Sequence, residues 1–350
     1  MPAAVFLSFS FRSENGRKGI SCCSMDFQQR MSGMALWPRK RKGRRLLKWG
    51  IILLILFIFI PWGIVFFLQD EGEIKIKGDK VKVRVLNHQT NELMSLNLEE
   101  YLVGVVAAEM PASFPEESLK AQAVAARTYA VKRLQVPDPR IKNLNQDADL
   151  STNPAVNQAW ISSEEMKNRW GAWGYRAYKK KIVGAVQETA GQVLVYGGQL
   201  IDPVYHSSCG GGRTENSEDV WKFAIPYLRS VPCVAHQDKH RETVHVFDLA
   251  RLDNLLGTSL QAVPAGKLQA GQGYIQVMEK TSTGRVKAMR FGNTVFSGTE
   301  LRSRLALPST WFDFQLKGNT VIITTRGNGH AVGMCQYGAA AMAEQGKNYR

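Results

Sequence analysis

From Trp49 to Gln69 the chain carries no charge and reads WGIILLILFIFIPWGIVFFLQ. A helix rising 1.5 Å per residue needs about 20 such residues to cross a bilayer core of ~30 Å. Pro61 lies inside the run, which a membrane helix tolerates better than a soluble one. The run is too long for the apolar region of an ordinary cleaved signal peptide, and no small-residue cleavage site follows it. The stretch RKRKGRR at 39–45 precedes it, and the positive-inside rule keeps that end in the cytoplasm. The sequence therefore predicts a basic cytoplasmic tail over 1–48, a single-pass transmembrane signal anchor over 49–69, a polar stalk over 70–79 and one large extracytoplasmic domain over 80–350. Met25, Met31 and Met34 are alternative starts within the tail.

The net charge of +15 is concentrated in the tail. Residues 1–48 hold eleven Lys and Arg against Glu14 and Asp26, which leaves only +6 for the other 302 residues. That surplus is too mild for a nucleic-acid binder, so no nucleic-acid partner is expected. A hydrophobic share of 44% with 21% charged residues excludes a wholly disordered or collagen-like chain. Five cysteines are too few for a disulfide scaffold, and two of them, Cys22 and Cys23, fall in the tail.

Beyond the stalk the periodicity is mixed. KVKVRV at 80–85 alternates and predicts a strand. Asn97 and Glu100 have capping-box spacing, and Leu98, Tyr101, Leu102, Val105 and Ala108 form an apolar stripe that Pro111 ends. Ser113 and Glu116 suggest a second box, with a helix over about 115–134 whose face is Leu119, Ala123, Ala126 and Ala130. Residues 137–158 read as a loop. Helices near 162–180 and 180–189 follow, then strands at 192–196 and 199–206 joined by Gly197-Gly198. Strand patterns recur in IQVM, VKAMRF and VIITT, and the chain ends in a Gly-rich loop and an Ala-rich helix. This order predicts an α+β fold without regular βαβ alternation.

Glu109 falls on the apolar stripe, at the C-terminal end of the first helix. Burial and the partial negative charge of a helix C-terminus both raise a carboxyl's pKa there. An acid protonated near neutral pH can donate a proton to a leaving group. The alternatives are a frayed end in water or a pairing with Arg127 or Lys120. Glu99, Glu100, Glu116 and Glu117 read as exposed first-turn residues. No second carboxylate matches Glu109, whereas an ordinary glycosidase uses two. A lone acid suits a reaction in which the sugar's own hydroxyl replaces water.

Four segments carry a resemblance: AAEMPASFPEESLKAQAVAARTYA at 107–130, YHSSCGGGRTENSEDVW at 205–221, IPYLRSV at 225–231 and GHAVGMCQYGAAAMA at 329–343. Together they resemble the stage II sporulation protein D family, in order over roughly residues 80–350. The resemblance implies a lytic transglycosylase of peptidoglycan with Glu109, the glutamate before Met-Pro, as catalytic acid. It also implies denuded glycan strands as substrate, cut between MurNAc and GlcNAc to 1,6-anhydro-MurNAc ends during septal wall thinning and engulfment. Implied partners are a peptide-stripping amidase and other engulfment membrane proteins, met in the intermembrane space of a sporulating cell. The family also contains non-catalytic amidase enhancers, which is the first alternative. A zinc-dependent cell-wall hydrolase is the second. Ala331 and Cys335 stand where the family motif usually has Gly and Ser. Family chains normally run past the position of Arg350, so a truncated C-terminus is expected.

Further candidates surround this core. The resemblance implies that Gln336 and Tyr337, in the Gly-rich loop beside His330, line the cleft with Glu109. Lys120 and Arg127 lie seven apart on one helix face and are candidates for binding substrate, with a solvated face as the alternative. Trp160, Trp170, Trp173 and Tyr175 could stack on sugars or belong to the core. His206, Cys209, Cys233 and His236 form H-x2-C and C-x2-H pairs, the two-nitrogen, two-sulfur set of a structural zinc site. Some family members bind zinc. A Cys209–Cys233 disulfide, free thiols, or His240 or His245 as the true ligand are the alternatives. The acid–base chemistry itself requires no cofactor.

Overall fold

The computed structural model describes residues 49–61, 81–236, 242–264, 267–268 and 273–350. The chain divides into two compact units, 1–72 and 73–350. In the first, residues 49–61 are helical and every one is exposed. The predicted tail 1–48, the second part of the predicted span at 62–69 and the predicted stalk 70–79 lie outside the described residues. Among the described residues no helix is long and apolar enough to cross a membrane.

The second unit is α+β. Strand β1 (Lys82–Leu86) alternates as expected, with Val83 and Val85 buried. It pairs antiparallel with β2 (Leu93–Asn97), and a short parallel strand β3 (Leu150–Ser151) joins its other edge through Val85 and Leu150. Helix α1 (Leu98–Glu109) follows β2 directly. It is buried nearly all round rather than on one stripe. The reason is its central position: α2 (Glu116–Gln135) and α4 (Ser163–Glu188) both pack on it. Gly104 lets Trp160 lie against α1, since a Cβ there would come within 2.1 Å of the indole nitrogen. The Ala-rich face of α2 works the same way, with Ala123, Ala126 and Ala130 fully buried.

Several local expectations change. Asn97 precedes α1 without a side-chain cap, whereas Ser162 and Glu165 form a complete capping box on α4. The two helices expected over 162–189 run together as α4, with a break at Gly171 (φ 66°, ψ 172°). The expected loop 137–158 holds the six-residue helix α3 (Pro139–Leu144), capped by Asp138, together with β3. These pieces are too short to show a period.

Glu99 is not an exposed first-turn residue. It is buried and paired with Arg127, which is also fully buried. The guanidinium donates to both Glu99 oxygens at 2.8 and 2.6 Å, to the Val186 carbonyl at 3.0 Å and to the Gln192 carbonyl at 3.3 Å. One side chain thus ties α1, α2 and the end of α4 together.

After the hairpin β4 (Val195–Tyr196) and β5 (Gln199–Leu200), turned by Gly197 and Gly198 with positive φ, comes β6 (Tyr205–His206) and the short helix α5 (Ser217–Trp221). A second apolar core lies farther along the chain. It is built by β7 (Thr243–Asp248), α6 (Leu249–Leu256), the meander β8 (Ile275–Lys280), β9 (Val286–Phe291) and β10 (Thr294–Ser297), helix α7 (Gly298–Arg304) and the hairpin β11 (Phe312–Lys317) and β12 (Thr320–Thr325). Finally β13 (Met334–Cys335) pairs in parallel with β6, matching Cys335 to His206, and leads into α8 (Gln336–Glu344). Helix α8 returns to α2, where Gln336 Nε2 donates to Gln122 Oε1 at 3.1 Å.

Removing one partner of a buried ion pair strands the other charge, at a cost of about 3–5 kcal/mol. Arg127→Leu should therefore lower unfolding free energy by about that amount, read from urea denaturation. Glu99→Leu combined with Arg127→Leu should recover much of the loss, because no charge is then left unpaired.

Candidate active site

Helix α1 ends at Glu109 because Met110 is extended, as a residue before proline tends to be. That end is not frayed. Glu109 is half-buried, and its Oε1 accepts from the Ala159 backbone N–H at 2.8 Å. The Tyr205 hydroxyl also hydrogen-bonds the carboxyl, and Gln158 Nε2 donates to that hydroxyl oxygen at 3.1 Å. Desolvation by burial raises the Glu109 pKa, opposed by the Ala159 and Tyr205 hydrogen bonds, which favour the ionised form. Burial, with the nearby Glu109 charge, raises Tyr205 well above its ordinary value, so its hydroxyl stays a donor.

No salt bridge to Glu109 occurs among the described residues, because the expected cationic partners are engaged elsewhere. Arg127 is consumed by Glu99. Lys120 Nζ sits 2.8 Å from Glu117, 2.7 Å from Glu188 and 3.4 Å from Glu116. Lys120 and Arg127, the expected substrate binders, thus both have carboxylate partners in this structure, and Arg127 is fully buried. Gln336 is buried, and its amide donates to Gln122. Tyr337 is half-buried and packs edge-on against Phe114, with ring centroids 4.9 Å apart.

Tyr205 and Gln158 escaped the sequence reading as site residues, although Tyr205 opens one of the four motifs. Gln158 lies in a stretch read as a loop and carried no signal. Around them several buried polar atoms lack a hydrogen-bond partner: Tyr101 Oη, Asn157 Oδ1, Gln158 Oε1 and Trp160 Nε1. Three of these residues flank Ala159, and Tyr101 precedes Glu109 by about two helical turns. Buried polar atoms are normally paired, so a group of orphans beside an acid calls for an explanation. Of the other aromatics, Trp170 and Tyr175 pack against the helical core, while Trp173 is exposed.

A family model described as Stage II sporulation protein matches residues 86–196. Stage II sporulation protein D of Bacillus subtilis is 37% identical over 281 residues, covering 79% of this chain and 78% of that protein. The namesake from Bacillus amyloliquefaciens is also 37% identical, over 284 residues, with 79% and 77% covered. The chain belongs to the stage II sporulation protein D family. The amidase enhancer of Bacillus subtilis is more distant, 26% identical over 355 residues, which cover 79% of this chain and 46% of that protein.

The motif stretches of this stage II sporulation protein D family member have unequal roles. In TENSEDVW, Glu215 is buried and accepts from Thr281 at 2.8 Å and Thr283 at 2.6 Å, with Arg285 at 3.7 Å. Asn216 Oδ1 accepts from Ser230 N–H, and Glu218 pairs with Arg229. These residues fasten the loop to the strands of the second core and to the IPYLRSV segment. Ala331, where the family usually has Gly, adopts φ 66°, a left-handed conformation that suits glycine. His330 is pushed down to about 3, chiefly by burial, and so is neutral between Trp221 and His206.

The sequence-predicted metal set is only partly assembled. Cys209, Cys233 and His236 converge, but the fourth member of the group is Cys335, not His206. His206 turns its Nδ1 to the Val332 carbonyl at 3.1 Å, and the same ring hydrogen-bonds the Cys209 and Cys335 side chains from beside the group. No sequence spacing relates Cys335 to the other three, since they lie about a hundred residues or more earlier in the chain. Cys335 reaches them through the β6–β13 pairing.

A carboxyl whose pKa is raised by folding binds its proton more tightly in the native state than when unfolded. Its presence therefore costs stability as pH rises from the ordinary carboxylate range through the raised value. Glu109→Gln should unfold at higher denaturant than the parent at neutral pH, with the difference shrinking to nothing below the ordinary carboxylate pKa. Paired urea titrations across pH check this. A constant difference would mean that Glu109 is solvated.

Proposed function

We propose that the chain is a membrane-anchored lytic transglycosylase that cuts denuded peptidoglycan strands during the wall thinning and engulfment of sporulation. The observation that carries this is the half-buried Glu109, desolvated and without a cationic partner among the described residues. Glu109 in its protonated form gives its proton to the glycosidic oxygen as the bond from MurNAc C1 to GlcNAc O4 breaks. The MurNAc 6-hydroxyl then bonds to C1, and its proton passes to the Glu109 carboxylate. The products are a 1,6-anhydro-MurNAc end and a free GlcNAc 4-hydroxyl, with the acid regenerated and no water consumed. One carboxyl serves both steps, so this reaction needs no second one at glycosidase spacing.

The residues around Glu109 fit separate parts of this sequence. The Ala159 N–H and Tyr205 hydroxyl stabilise the carboxylate present between the two proton transfers. The orphaned atoms on Tyr101, Asn157, Gln158 and Trp160 are buried beside this acid, where ordered water would partner them. The apolar helix 49–61, exposed along its length, supports a segment that enters a bilayer. Together with the basic run before it, this supports a second unit outside the cytoplasm, where an amidase that strips stem peptides would supply its substrate.

The likeness to an amidase enhancer favours a second reading, in which the chain binds glycan and presents it to that amidase. One substitution separates the two. Glu109→Gln keeps shape and hydrogen bonding but cannot donate the proton, and loss of a general acid typically costs about 10²–10⁴-fold in rate. We expect anhydro-ended products from denuded glycan, read by mass spectrometry, to fall by at least that factor, with amidase stimulation unchanged. Equal anhydro-product yields from parent and variant would refute the enzyme reading. Loss of stimulation, with no anhydro products from either, would establish the second.

A further inference from the structure

We propose that Cys209, Cys233, His236 and Cys335 form a closed tetrahedral zinc centre that pins the start of α8 to the glycine-rich loop after β6. The four ligand atoms lie within 4.8 Å of one another. His236 Nε2 is 3.6 Å from Cys209 Sγ and 3.6 Å from Cys335 Sγ. With Zn–S about 2.3 Å and Zn–N about 2.0 Å, the nitrogen-to-sulfur edge of a tetrahedron is about 3.5 Å, so these spacings already fit. A disulfide would instead need two sulfurs at about 2.05 Å, and all three thiols are free.

The surroundings are built to the same end. Cys335 Sγ accepts from the backbone N–H groups of Cys209 and Gly338, both at 3.3 Å, an arrangement that suits a thiolate at a helix N-terminus. Gly338 has no room for a side chain, since a Cβ would come within 2.4 Å of Cys233 Sγ. The buried Arg285 guanidinium donates to the Cys209 carbonyl at 3.0 Å, placing a positive charge behind a centre of net charge −1. Three soft sulfurs and one imidazole in tetrahedral array select zinc over magnesium or calcium. Four protein donors leave no open position, so the metal holds structure and does not activate water. That sets it apart from the centre a zinc-dependent hydrolase would need.

The centre also has a structural consequence near Glu109. Cys335 is paired with His206 on the two-stranded β6–β13 ladder, and the residue before His206 is Tyr205, which hydrogen-bonds Glu109. Locking Cys335 therefore locks the ladder that carries Tyr205. The proposal does not depend on the transglycosylase reading, because its test is metal content.

The test uses the full chain in detergent, with metal measured by inductively coupled plasma mass spectrometry and cobalt(II) as a spectroscopic replacement. The parent should carry one zinc per chain, and its cobalt form should show the thiolate charge-transfer intensity of three sulfurs. Cys335→Ser should lose affinity by more than the roughly 10–100-fold that removing an outer hydrogen-bond partner costs. His206→Asn should keep one metal per chain. If Cys335→Ser does not fold, the cobalt intensity of the parent still decides between three sulfurs and two. The proposal is overturned by a metal-free parent whose intact mass shows a disulfide, by a two-sulfur cobalt spectrum, or by metal lost in His206→Asn but retained in Cys335→Ser.

Discussion

The buried contact between Arg127 and Glu99 sets the geometry of the helical core. Its two charges have left water, a loss that a single pairing rarely repays. Here the guanidinium has further acceptors at the end of α4, so its donors are used as well as its charge. Glu99 stands in the first turn of α1 and Glu109 is the last residue of the same helix. A helix is stiff over this length, so fixing its start against α2 and α4 also fixes where its last residue points. The ion pair and Glu109 therefore belong to one mechanical unit, at opposite ends of the same helix.

That arrangement explains why an unpaired acid can persist. In a looser core Glu109 would reach water or a neighbouring cation. Lys120 is held by three carboxylates and Arg127 by one, which removes both competitors. The carboxyl keeps hydrogen bonds from Ala159 and Tyr205, so its burial penalty is moderated without being cancelled. Proteins commonly trade stability for such groups at working sites. The orphaned polar atoms on the 157–160 segment are a second instance of the same trade, next to the first.

Legibility in the sequence followed the length of the pattern. The helix over Leu98–Glu109, its stop before Pro111, the Ala-packed face of α2, the strand over Thr320–Thr325 and the Gly197-Gly198 hairpin were all readable, because each repeats a period or ends on a strong punctuating residue. Glu109 was readable because a charge interrupts an apolar stripe. Local reading failed where burial is decided by elements far along the chain. Glu99 looks like an ordinary first-turn acid until α2 brings Arg127 onto it 28 residues later. The cluster at Cys335 needed a strand pairing across more than a hundred residues, which spacing rules cannot see.

The position of Cys335 bears on how the two halves of the site are joined. Residues 107–130 carry Glu109, while residues 205–236 and 329–343 carry Tyr205 and the sulfur cluster. The two sets meet at the Tyr205 hydroxyl on Glu109, at Gln336 on Gln122 and at Tyr337 against Phe114, and Gln158 holds that same hydroxyl. All of these contacts involve β6 or the first two residues after β13. A ladder of two residues per strand is too short to hold itself in register, because it closes few hydrogen bonds. Its alignment must come from what is attached to its ends. On one side that is the glycine-rich loop with Cys209, and on the other α8, whose first turn Cys335 caps. The proposed metal centre would join those two ends and supply the alignment the ladder lacks, and with it the placement of the tyrosine on which the carboxyl depends.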